Sequence, residues 1–103
     1  MDELDWTEEQ QVASRASRSR AETHLREARS LLSVDDAALG MFHEFIDHNE
    51  QGLALDELAH AANEFDAPTK FWTLLQMAAR EMQLTAADEI HGSAVQIVER
   101  RIS

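Results

Sequence analysis

An all-α fold is what this sequence predicts, and three observations carry that expectation. Apolar residues recur at three- and four-residue spacing through nearly every segment. The chain has only three glycines and one proline, too few to punctuate the turns of a sheet protein. Ala, Leu, Glu, Gln and Arg, all good helix formers, dominate the composition. A length of 103 residues suits one compact helical domain over 1–103, built from about five helices. Hydrophobic residues make up 44% and charged residues 28%, the balance of a folded chain and not of a disordered one.

The first helix is expected from Thr7 to Leu32, opened by a Thr7/Gln10 capping box. Ala21, Leu25, Ala28 and Leu32 mark its core face. Its first half offers only Val12, Ala13 and Ala16 around SRASRSR, so residues 1–20 read as a loosely docked half-helix. The second is expected from Val34 to His48, with Ser33 and Asp36 as the cap and Ala38, Met41, Phe42, Phe45 and Ile46 as a broad stripe. Asn49 and Gly52 both tolerate left-handed backbone, and Asn49–Gly52 is read as the break. The third runs from Ala54 to Phe65, burying Leu55, Leu58, Ala59, Ala62 and Phe65. Pro68 suits the first turn of a fourth, whose core face is Phe71, Leu74, Leu75, Ala78 and Met82. Thr85 with Asp88 opens a fifth, with Ala87, Ile90, Ala94, Ile97 and Val98 inward and Gly92 weakening its middle by roughly 1 kcal/mol. Trp6 and Trp72 read as core or core-edge residues. Short connections make successive helices pack antiparallel.

The charge is unevenly spread. The net charge is −11, which argues against bare nucleic acid as a ligand, since phosphate binding needs clustered cations. Residues 1–29 hold seven acids and five bases, and residues 70–103 hold four of each. Residues 30–69 hold nine acids (Asp35, Asp36, Glu44, Asp47, Glu50, Asp56, Glu57, Glu64, Asp66) and no Lys or Arg. Such a stretch repels itself and stays soluble. It is read either as a solvated face or as a surface complementary to a basic partner. No apolar run nears the length of a membrane span, and MDELDW is acidic with no apolar leader core. Cysteine is absent, which excludes disulfides, thiolate nucleophiles and zinc–thiolate sites. A cytoplasmic protein fits these features.

Chemistry-bearing motifs are sparse. The segment 47-DHNEQGLALDEL-58 puts Asp47, Asn49, Gln51 and Gly52 where an EF-hand has its first ligands and its glycine. Its twelfth position is Leu58, however, and Glu57 lies one residue early, about 100° away on a helix. His43 and Asp47, four apart, supply two ligands, too few for a good metal site. No HExxH, Walker loop, GxGxxG or GxSxG occurs. No enzyme activity, cofactor or metal is therefore expected.

The stretch 45-FIDHNEQGLALDELAHAANEFDAP-68 resembles the MafI-like family of small helical bacterial immunity proteins. The resemblance rests on Phe45, Ile46, His48, Asn49, Glu50, Gly52, Leu53, Ala54, Leu55, Glu57 and Leu58. It covers about a quarter of the chain; 77-MAAREMQL-84 agrees in character only, and the Ser/Arg-rich first helix finds no counterpart. The resemblance implies neutralisation of a secreted polymorphic toxin, often a nuclease, by tight binding. Within the motif, Gly52 is expected to serve backbone geometry, Asn49 to cap a helix end, and Leu53, Leu55 and Leu58 to pack. The partner-binding candidates are Asp47, His48, Glu50, Asp56, Glu57, Glu64 and Asp66, with the acids taken as exposed. The implied partner is a basic protein, with no nucleic acid and no membrane. Two other classes fit the composition: an acidic regulatory or adaptor module, a phage-encoded one included, and a metal-binding helical domain.

Overall fold

The computed structural model describes residues 8–33, 39–64 and 67–102, and the side chains from Arg15 onward. Five helices form a single all-α bundle: α1 (Glu8–Ser30), α2 (Phe42–Asp47), α3 (Gln51–Ala62), α4 (Thr69–Glu81) and α5 (Gly92–Ile102). There is no strand among the described residues. No helix there is long and apolar enough to cross a membrane.

One continuous core joins the helices. Ala21, Leu25, Ala28 and Leu32 are buried as their spacing predicts. Leu55, Leu58, Ala59 and Ala62 of α3 meet them, with Phe71, Leu74, Leu75 and Ala78 of α4 and Ala94, Ile97 and Val98 of α5. α3 packs against each of the other four helices, and α1 lies chiefly along α4. An Arg20–Glu81 ion pair at 3.0 Å joins α1 to α4 at the surface. Trp72 is 2% exposed and stacks edge-on against Phe71. Arg101 spreads its guanidinium over the Trp72 ring, 5.3 Å from the centroid, and donates to the Asn63 carbonyl at 2.6 Å.

Two helix ends share one device. α2 ends at His48, after which Asn49 takes φ 57°. The Asn49 amide then bonds Ile46 O and the Glu50 amide bonds Phe45 O, the paired pattern of a Schellman cap. α4 ends at Met82 in the same way, with Gln83 at φ 57° and bonds from Gln83 to Arg80 and from Leu84 to Ala79. The Asn49 break thus agrees with the expectation from sequence, but Gly52 is helical and has no positive φ.

Several boundaries move. α3 starts at Gln51, three residues before the expected Ala54, because the left-handed Asn49 turns the chain directly into a new helix. α2 is confined to Phe42–Asp47 behind a turn at residues 39–41. Its expected start at Val34, with Asp36 and Ala38, lies outside the described residues, as do Trp6, Thr7 and Phe65; Ser33, the other expected cap residue, is exposed and not helical. Pro68 is the residue before the first turn of α4, in extended conformation. The fifth helix begins at Gly92, not at Thr85. Residues 85–91 are turns and irregular chain, Ala87 is exposed and Ile90 is 73% exposed. The cause lies in Asp88, whose Oδ1 accepts from the Ile90 and His91 amides and so caps a start at that point. Gly92 then sits at the beginning of α5, where a Cβ would lie 2.5 Å from the Ala86 carbonyl oxygen.

Candidate functional site

Residues 42–62 of the acidic stretch form α2 and α3, and the face of this pair carries a shallow groove of about 510 Å³. Met41, Phe45, Leu53 and Ala61 supply its apolar surface; Asp56, Glu57, His60 and Glu64 supply the polar one. A six-residue helix cannot bury a four-residue apolar stripe. Phe42 and Ile46 go into the core, while Met41 stays 47% exposed and Phe45 half-buried. The groove is what remains between that uncovered half of α2 and the outer face of α3.

The expected contact residues divide into two groups. Asp47, His48, Glu50 and Glu64 are exposed. His48 also has a local task, since its Nδ1 donates to the Glu44 carbonyl at 2.9 Å and helps close α2. Glu50 stands before the first turn of α3 but makes no side-chain capping bond. Asp56 and Glu57, expected to be exposed, are half-buried and already bonded. Glu57 Oε1 accepts from the Met41 amide at 3.3 Å, tying α3 to the turn before α2. Asp56 Oδ2 accepts from His91 Nδ1 at 2.7 Å, tying α3 to the start of α5. Asp66 lies outside the described residues.

The Asp56–His91 contact explains Gly52. The His91 ring lies against Gly52 in the first turn of α3, and a Cβ there would meet its Nε2 at 2.6 Å. That ring cannot swing aside without losing Asp56. Gly52 is therefore required for close approach and not for backbone freedom.

The electrostatics follow from burial. Desolvation pushes the Asp56 carboxyl above its ordinary pKa, against the opposing pull of His91 and His60. Its Oδ1, and Oε2 of Glu57, are shut off from water with no hydrogen-bond partner among the described residues. Leaving such a group unpaired costs about 1–3 kcal/mol. The groove therefore carries two partly desolvated acids beside exposed Glu64, with no cation in its lining. Asp88 goes the other way: the His91 and Ile90 amides hold its carboxyl below the usual range.

No group of three or more potential metal ligands is found among the described residues. The segment 47–58 is helix from Gln51 onward, and Glu57 faces the Met41 amide. It therefore does not form the twelve-residue loop a calcium site needs. Sequence reasoning missed the groove's apolar half and His60. It also missed His91, which lies 35 positions from its Asp56 partner, a separation at which no local pattern operates. Compared with known proteins, the chain matches no family model, no curated protein and no solved structure.

Proposed function

We propose that this chain is an immunity protein that neutralises a secreted polymorphic bacterial toxin, of nuclease type, by direct binding through the acidic α2–α3 face. The observation that carries the reading is the groove: an apolar floor of Met41, Phe45 and Leu53 rimmed by Asp56, Glu57 and Glu64. It lies within a stretch, residues 30–69, that contains no Lys or Arg. The resemblance of residues 45–68 to the MafI-like immunity proteins supports the same reading.

The physics is that of a charge-steered interface. Nuclease active sites are basic because they hold phosphate, and an acidic face raises the rate of encounter with them. Apolar contact on Met41 and Phe45 would then slow dissociation. A partner guanidinium over the groove would also compensate the half-desolvated carboxylates. The test is to mix the purified chain with the toxin domain encoded beside it and measure nuclease activity. Stoichiometric loss of activity with a stable complex is the expected result. An unaffected nuclease with no complex would refute the reading.

A further inference from the structure

The form of the acidic groove restricts what can sit in it. Its α3 wall is a single stripe, in which Leu53, Asp56, Glu57, His60 and Ala61 recur at three- and four-residue spacing. From Leu53 to Ala61 that stripe runs about 12 Å, a little over two helical turns. The other wall is Met41 and Phe45, one turn apart and joined by the bond from the Phe45 amide to the Met41 carbonyl. We propose that this groove takes an amphipathic basic α-helix of the partner. Its apolar side chains lie on Met41, Phe45 and Leu53, and its arginines or lysines turn toward Asp56, Glu57 and Glu64. This rests on the immunity reading above and adds the form and chemistry of the occupant.

Charge gives the first argument. Asp56 and Glu57 each spend one carboxylate oxygen on the fold, on His91 and on the Met41 amide. The second oxygen of each is shut off from water and has no hydrogen-bond partner among the described residues. Attraction between such poorly hydrated charge and a cation seated above it exceeds that in bulk water. No Lys or Arg lines the groove to supply that cation, and Glu64 stands exposed in the same lining. The apolar surface gives the second argument. Met41 is 47% exposed and Phe45 half-buried, so a purely polar ligand would leave both wet. The stems of arginine and lysine cover such surface while their heads reach the acids. The backbone gives the third. α2 and α3 bond their main-chain groups internally, and the Met41 amide at the edge is taken by Glu57. An extended peptide would find no ladder to join, whereas a helix brings its own main-chain bonds and presents side chains alone.

The test titrates the full chain with a synthetic helical peptide of about four turns. The peptide carries leucine at i, i+4 and i+7 with arginine between. Amide chemical shifts should move saturably within residues 41–64. Met41→Ser should weaken binding about tenfold through lost apolar contact. Glu64→Gln should weaken it about fivefold, the upper end for an exposed ion pair. Both side chains are exposed, so both variants should fold. Glu27→Gln, the same charge change on α1, should leave the affinity unchanged. A peptide with a central proline keeps the charge but cannot form the helix, and should bind at least about tenfold more weakly. Equal binding of the proline peptide would overturn the proposal, as would absence of saturable shifts. A Glu27→Gln loss equal to that of Glu64→Gln would also overturn it, because the attraction would then be non-specific. Self-association of the chain that Met41→Ser abolishes would assign the groove to a second copy instead. Excess helical peptide should also displace the toxin proposed as the partner. A toxin that stays bound and inhibited beside a saturated groove would overturn the helix proposal and leave the immunity reading standing. A toxin that never binds would refute the immunity reading, while the peptide titration still decides what the groove takes.

Discussion

Gly52 is held to glycine by a neighbour distant in sequence, and a substitution can demonstrate it. Glycine in a helix is worse than alanine by about 0.5–1 kcal/mol, so Gly52→Ala at an unconstrained site would stabilise the protein. Here the new Cβ would meet His91 Nε2 at 2.6 Å, and overpacking of this kind costs about 1–3 kcal/mol. Gly52→Ala should therefore lower the unfolding free energy, while in a His91→Ala background it should be neutral or stabilising. Denaturant melts of the four proteins measure the coupling; additive effects would show that the ring is not the obstacle. Asp88 gives a pH prediction at the same scale. Its folded pKa is depressed, so its contribution is present above the unfolded value of 3.8 and lost as pH falls through the folded one. Asp88→Ala should lower the melting temperature by a few degrees near neutrality, and the gap to wild type should narrow in acid; a gap indifferent to pH would contradict the capping role. Asp56, with its raised pKa, acts with the opposite sign and favours the folded state as it becomes protonated. Little of this could be read from sequence. Gly52 was legible as a constrained glycine, but its reason is an aromatic ring brought in by the tertiary fold.

At the scale of elements, the left-handed residues after α2 and α4 control where helices stop. Asn49 is well suited to that conformation, whereas Gln83 is not, since a residue with a Cβ pays roughly 1 kcal/mol there. Gln83→Gly should thus raise stability by up to about 1 kcal/mol, despite glycine's greater freedom in the unfolded chain. Asn49→Val should lower stability by about 1–2 kcal/mol. Thermal unfolding of both variants decides the matter, and a destabilised Gln83→Gly would mean that the turn after Met82 is set by something other than the cap. Periodicity made the core faces of α1, α3 and α4 legible, because burial there follows the 3.6-residue repeat. It overextended α5, because Ala87 and Ile90 fit the repeat while the Asp88 side chain starts the chain turning at a different point. It also treated Met41 and Phe45 as core, although the short α2 leaves them facing the groove.

For the whole molecule, the governing feature is the separation of charge. Within the stretch 30–69, the described residues 41–64 carry an acidic, partly apolar face, while the cations belong to α1, α4 and α5. That separation was legible as a count, but which acids stand free was not. Asp56 and Glu57 have structural partners, so their removal would confound binding with stability. Asp47, Glu50 and Glu64 are exposed, and exposed charge changes usually alter stability by no more than about 0.5 kcal/mol. The most direct measurement is surface plasmon resonance of wild type and the Asp47→Asn, Glu50→Gln, Glu64→Gln triple variant against the toxin proposed as its partner, at several salt concentrations. Attraction between exposed charges is screened over about 8 Å at physiological salt. The acidic-face mechanism therefore predicts that wild-type association slows as salt rises, that the triple variant associates about tenfold more slowly at low salt, and that dissociation changes far less. Association of the triple variant at the wild-type rate, or a wild-type rate indifferent to salt, would contradict it.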